Sequence, residues 1–169
     1  MSNEDVDLLG GEYDRVFAEA REDGSFRNLA SEELETATEM LQIMQMCERS
    51  IPFRRLLYNE AILDIVESLI GPNILLFHDQ ALYKPAHHGD ALFWHQDNGY
   101  WRCLPANLVT CWLTLDDVNA ENGEMHLIPG THLAAMKHER GEKEILFDLE
   151  EEADASKAVV VDLPAGGAM

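Results

Sequence analysis

Apolar residues recur at helical spacing through the first seventy positions of the chain and at strand spacing beyond them. Val6, Leu9, Tyr13, Val16, Phe17 and Ala20 share one face of a 3.6-residue period, which predicts an amphipathic first helix. Gly10 and Gly11 weaken its start. Leu34, Ala37, Leu41 and Met44 repeat the spacing and predict a second helix, with Ser31 placed to cap it. A third is predicted from Asn59, with Ile62, Ile65, Val66, Leu69 and Ile70 turned inward and Gly71-Pro72 as its stop. Met40, Met44 and Met46 read as gap-filling core.

After Pro72 the period shortens. NILLFHDQALYK, ALFWHQD, LVTCWLTLDDV, EMHLIPG and AVVVDLP are short runs rich in β-branched and aromatic residues, separated by PAHHGD, NGYWRCLPAN and NAENG. Many short strands behind a helical lead-in predict an α+β chain, helical over 1–71 and a sandwich or jelly roll over 72–169. No internal repeat is visible. Residues 139–157, rich in Glu, Lys and Asp, predict an exposed connection between strands, in part helical.

At 169 residues the chain is the size of one domain and long enough to bury a core, and 46% hydrophobic content agrees. Charge narrows the partners. The 32 acidic residues against 12 basic ones give a formal −20, which repels nucleic-acid phosphates and anionic membranes. The N-terminal MSNEDVDLLGG has neither the basic nor the apolar region of a secretory leader, and no run approaches the roughly 18 apolar residues of a membrane span, so the default expectation is cytoplasmic. Cys47, Cys103 and Cys111 show no C-x-x-C spacing, against a disulfide framework or a zinc knuckle, and Cys111 reads as core.

The candidate chemistry lies in FWHQDNGYW, residues 93–101. In a β-strand Phe93, His95 and Asp97 would face one way and Trp94 and Gln96 the other, so imidazole and carboxylate would aim at one point. They would form two thirds of the 2-His-1-carboxylate set that holds non-heme Fe(II). The spacing alone is weak: random placement gives roughly half an H-x-D match per chain of this composition. A solvated His–Asp hydrogen bond is therefore the plainer alternative on the motif by itself.

Three stretches taken together, FWHQDNGYW, TCWLTLDDV and NGEMHLIPGTH, resemble the phytanoyl-CoA dioxygenase family over roughly residues 70 to 169. These are Fe(II)- and 2-oxoglutarate-dependent oxygenases built on a double-stranded β-helix, a cupin-like jelly roll. The resemblance implies His95 and Asp97 as metal ligands, with no catalytic residue beyond them. It implies Tyr83, Lys84, Thr110 and Trp112 on strands lining the cofactor pocket, and Gln96 and His78 toward the substrate. Asn122-Gly123 fits the family's tight turn and Pro129-Gly130-Thr131-His132 its P-G-[ST]-H loop. His126 and His132 match histidines outside the metal site and are expected to be structural, while His87, His88 and His138 are expected in solvent; a zinc site built from these histidines is the lesser alternative.

The activity implied by the resemblance is that of a monomeric hydroxylase using Fe(II), 2-oxoglutarate and O2 on a small organic or acyl substrate, with ascorbate as reductant. In the family a second metal histidine and a 2-oxoglutarate-binding arginine come after a turn that PAGGAM resembles. No histidine follows His138 and no arginine follows Arg140. The expectation is thus a single, truncated oxygenase domain, inactive by itself for want of the third ligand. The rival reading is a non-catalytic metal- or small-acid-binding relative, or a subunit completed by another chain.

Overall fold

The computed structural model describes residues 1–30, 39–89, 92, 94–101, 103–140, 145–146 and 154–169. The first helix, α1 (Asn3–Asp23), opens with a capping box in which Ser2 Oγ accepts from the Asp5 amide while the Asp5 carboxylate accepts from Ser2. Gly24, at φ 74°, closes it by donating to Ala20 O. Gly10 and Gly11 lie inside α1, each costing on the order of 1 kcal/mol relative to alanine. Burial of Leu9, Val16, Phe17 and Ala20 offsets that cost, and the helix runs unbroken.

The predicted second helix is the main correction among the elements. Leu34, Ala37 and the proposed cap Ser31 lie outside the described residues, and Leu41–Met44 is a strand. That strand, β2, stands between β1 (Arg27–Asn28) and β3 (Gln80–Tyr83), antiparallel to both, with Asn28 opposite Leu41 and Leu41 opposite Tyr83. The spacing of Leu41 and Met44 suits either period; Leu41 and Ile43, at 1% and 0% exposure, decide it, because alternate burial belongs to a strand. Leu41, Ile43 and Ala81 pack on Val16, Phe17, Ala20 and Met46, with Tyr13, Phe26, Phe53 and Tyr83 around them. Met40 and Met46 are core as expected, and Met44 is half-buried.

Helices α2 (Met46–Arg49) and α3 (Ile51–Leu56) join at Ser50, a buried residue whose hydroxyl accepts from the Phe53 amide and donates to Glu12. Next, α4 (Glu60–Ile70) starts where predicted, with Asn59 as its cap, Oδ1 accepting from the Ile62 amide, and stops at Gly71 with φ 88°. Its apolar stripe is only partly covered. Ile65 and Leu69, expected inward, are exposed, while Ile62, Val66 and Ile70 are half-buried.

The strand-rich half is sparser than its pattern predicts. Of NILLFHDQALYK only residues 80–83 are β, and Leu75, Leu76 and Phe77 are exposed. Further along, β4 (Met125–Leu127) pairs antiparallel with β7 (Val159–Val161), and β5 (Glu139–Arg140) with β6 (Ile145–Leu146). Between them the run 112–118 exchanges backbone hydrogen bonds with 163–169 through Trp112 and Met169, Thr114 and Gly166–Gly167, and Val118 and Leu163.

The architecture is therefore mixed helix and sheet, and the sheets formed by the described residues have three, two and two strands rather than one closed jelly roll. β-Propensity is realised only where a partner backbone lies in register, and most of these runs meet one over two or three residues. Cys111, expected in the core, is exposed on this loosely paired run. In the acidic connection only the β5–β6 pair and a 3-10 turn at Ala155–Lys157 are described. Among the described residues no helix is long and apolar enough to cross a membrane.

Candidate metal centre

His95 and Asp97 do meet, by a route other than the predicted strand. Residues 94–96 belong to no ladder, and Gln96, extended at φ −104° and ψ 134°, caps a single helical turn, α5 (Asp97–Tyr100). The turn closes through Gly99 N–H to Gln96 O and Trp101 N–H to Asp97 O. Asn98 and Gly99 favour such a turn over an extended chain, which is why the alternation stops there. The change of direction at Gln96 brings His95 Nε2 to 3.5 Å from Asp97 Oδ1. Phe93, expected on the same face, lies outside the described residues.

The surroundings hold Asp97 ionised. A hydrogen bond from His95 draws its carboxyl below the ordinary carboxylate range; the Thr110 hydroxyl, donating to Oδ2, and the charges of His95 and His78 act the same way against a rise from burial. The His95 ring stands edge-on to Tyr100 at 5.1 Å, and His78 edge-on to Trp101 at 4.4 Å. Phe77 flanks both His78 and Trp101, so an aromatic wall runs beside the pair.

The donor set suits a divalent first-row ion. Two ligands side by side at about 2.1 Å from one ion stand about 3 Å apart, close to the observed separation. Imidazole and carboxylate are the mixture that Fe(II) takes in a facial triad. Among the described residues no group of three His, Cys, Asp or Glu side chains converges on one point.

The other predicted residues divide. Thr110 and His78 are brought to Asp97. Tyr83 instead joins the α1 core, its ring 5.5 Å from Phe17 and 6.4 Å from Tyr13, with the Arg21 guanidinium 6.0 Å away. The Lys84 side chain crosses Gly89 and ends against Gly123, in the turn that follows Asn119. Trp112 is half-buried and exchanges two backbone hydrogen bonds with Met169. Gln96 has its amide engaged by three backbone groups of residues 131–136.

His126 lies 3.2 Å from Glu124 and edge-on to Trp94, His132 sits on an exposed 3-10 turn (Thr131–Leu133), and His87 and His88 occupy an exposed turn. His138 corrects the reading. Expected in solvent, it is half-buried, with Nε2 3.2 Å from the Gln96 amide and Nδ1 2.9 Å from Met136 O. Its ring lies so close to Gly99 that a Cβ there would come within 2.1 Å of it. The signal that could have pointed to it is Gly99 itself, a glycine beside the candidate ligands where another group can approach the backbone.

A family model described as phytanoyl-CoA dioxygenase (PhyH) matches residues 1–169. Peroxisomal phytanoyl-CoA dioxygenase of Mus musculus is 27% identical over 146 residues, covering 81% of this chain and 43% of that protein. L-proline trans-4-hydroxylase of Streptomyces griseoviridis is 33% identical over 86 residues, 48% of this chain and 32% of the relative. Ectoine dioxygenase of Halomonas elongata is 26% identical over 136 residues, 78% and 40% respectively. The matches thus span less than half the length of each of these curated relatives. No solved structure matches the chain.

Proposed function

The chain belongs to the phytanoyl-CoA dioxygenase family, and from that premise we propose that it supplies His95 and Asp97 as iron ligands of an Fe(II)- and 2-oxoglutarate-dependent dioxygenase hydroxylating a small organic or acyl substrate. The observation that carries the reading is the 3.5 Å approach of an imidazole nitrogen to a carboxylate oxygen, on the family's matched segment. The frame proposed around it is the family's double-stranded β-helix, to which the β4–β7 pair and the pairing of 112–118 with 163–169 would contribute.

The residues have separable tasks. Thr110 donates to one oxygen of Asp97 and leaves the other toward His95, where it would be the oxygen to hold the metal. Tyr100 limits rotation of the His95 ring. The depressed Asp97 carboxyl keeps the ligand deprotonated, as metal binding requires. Trp101, edge-on to His78 and next to Tyr100, places an aromatic ring beside the pair that would line one side of a substrate site. When bound, iron with 2-oxoglutarate and O2 supplies the oxidising chemistry; placement and charge are the protein's share. The relatives' names span an acyl-CoA, an amino acid and ectoine, and family membership does not choose among such substrates.

Anaerobic Fe(II) titration of this chain, His95→Ala and Asp97→Ala tests the site. Each substitution removes one ligand and should weaken binding at least tenfold. Equal binding by all three proteins would overturn the assignment. Added 2-oxoglutarate should tighten Fe(II) binding by the unsubstituted chain alone.

A further inference from the structure

We propose that Gln96 is a positioning residue, clamped to the 131–138 segment so that its two neighbours meet at the metal. The inference rests on the reading of His95 and Asp97 as ligands. A strand would have held the two side chains through its ladder, but residues 94–96 have no ladder. Backbone polar groups withdrawn from solvent need partners somewhere, and a ligand pair needs a fixed geometry. Gln96 answers both requirements.

Its side chain contributes three contacts. The amide nitrogen donates to Thr131 O at 2.8 Å and Ala134 O at 2.9 Å, and Oε1 accepts from the Met136 amide at 3.0 Å. A primary amide has two N–H donors and one carbonyl oxygen. Both donors and the oxygen are thereby engaged, which assigns the side chain to the protein rather than to substrate. The receiving segment is itself held, since Thr131 Oγ1 donates to Ile128 O at 2.8 Å.

The backbone of Gln96 contributes a fourth contact. Its N–H points at His138 Nε2, 3.2 Å away, while His138 Nδ1 lies 2.9 Å from Met136 O. The same Nε2 lies 3.2 Å from Gln96 O, so the ring stands against both main-chain polar groups of Gln96. The missing side chain at Gly99 makes room for the ring. Gln96 is therefore fixed from both its amide group and its main chain, and its φ and ψ set how the side chains before and after it are aimed. Residues 131–138 thus act on the metal pair through Gln96, across 35 to 42 positions of sequence.

Co(II) serves as the probe, because its visible absorption reports ligand arrangement as well as occupancy. The unsubstituted chain, His95→Ala, Gln96→Ala, Gln96→Glu and Gly99→Ala are titrated with Co(II), and hydrogen exchange of the 94–101 amides is followed without metal. Gln96→Ala should weaken Co(II) binding tenfold or more and alter the spectrum of the bound ion. Exchange over 94–101 should rise against that of α1. Gln96→Glu keeps the volume and loses both donors, so it should be no better than alanine. Gly99→Ala displaces the His138 ring and should weaken binding in the same direction, with the double variant less than additive.

Binding and spectrum unchanged in Gln96→Ala, while His95→Ala binds nothing, would overturn the clamp and leave the metal reading standing. Equal Co(II) binding by the unsubstituted chain and His95→Ala would overturn the metal reading and the clamp with it. If Gln96→Ala does not fold, the isosteric Gln96→Glu decides by the same criteria.

Discussion

At the scale of single residues, Asp97 carries the clearest consequence. A carboxyl whose folded value lies below its ordinary one stabilises the fold above that ordinary value, and the contribution disappears as pH falls through the lowered one. Thr110→Val removes one cause of the lowering, so Asp97 should take up its proton at higher pH. The acid-side loss of Co(II) binding should move up with it. Carbon-13 NMR of the Asp97 carboxyl measures the first shift directly, and a midpoint that stays in place would remove Thr110 from the account. Glu12 follows the same sign. Hydrogen bonds from Arg15 and then Ser50 hold it down from 4.5 to about 2, so what it adds to stability is present above pH 4.5 and lost toward pH 2. Ser50→Ala removes the second of these bonds together with the α3 cap, a loss of about 1 kcal/mol. That corresponds to roughly 2–4 °C in a thermal melt of a chain this size. A melt within 0.5 °C of the unsubstituted chain, taken as a rough detection limit for such shifts, would show the cap to be idle.

At the scale of elements, α1 was legible from its apolar face, and the bounds of α4 because Asn59 and Gly71 mark them locally. The β2 strand was not. Leu41 and Met44 suit two periods, and the partners that choose between them, Asn28 and Tyr83, lie 13 and 42 residues away. The candidate pair was legible as residue types and misread as a strand, since the aromatic flank suggests β while Asn98 and Gly99 turn the chain. Thr110 was picked out as lying on a strand expected to line the cofactor pocket, and the structure adds its hydrogen bond to Asp97. His138 was placed in solvent, since nothing in its own stretch of sequence announces a contact with Gln96 and the one signal, Gly99, lies 39 residues away. Burial separates the elements energetically. Ile43→Ala, at 0% exposure in β2, should cost about 2–5 kcal/mol. Leu69→Ala, at 63% exposure on α4, should stay within about 0.5 kcal/mol. Chemical unfolding of both variants checks the contrast, and comparable losses would mean that the outer face of α4 is covered in solution.

At the scale of the whole molecule, a formal charge of −20 sits on a fold with Ile51, Tyr58, Ile65, Leu69, Leu75 and Phe77 exposed. Repulsion between like charges opposes compaction and also keeps molecules apart. Adding salt at pH 7 should therefore raise the melting temperature by screening, since at 1 M the Debye length is about 3 Å. A melting temperature that falls with salt would place the favourable ion pairs, such as Arg15 with Glu12 and Glu19, above the repulsion. Near the sequence pI of about 4.5 the repulsion between molecules vanishes while the apolar side chains remain. Light scattering should then rise sharply between pH 5.5 and 4.5, and a flat profile would show that those side chains are not available for association.

The contact of Gly99 with the His138 ring ties two positions 39 residues apart into a single unit of sequence change. A larger residue at 99 needs a smaller one at 138, yet shrinking 138 takes away the acceptor for the Gln96 amide. Room and hydrogen bonding are thus restored by opposite substitutions, so no stepwise route through alanine at either position keeps both. An engineer recasting this turn would have to redesign 96, 99 and 138 in one move.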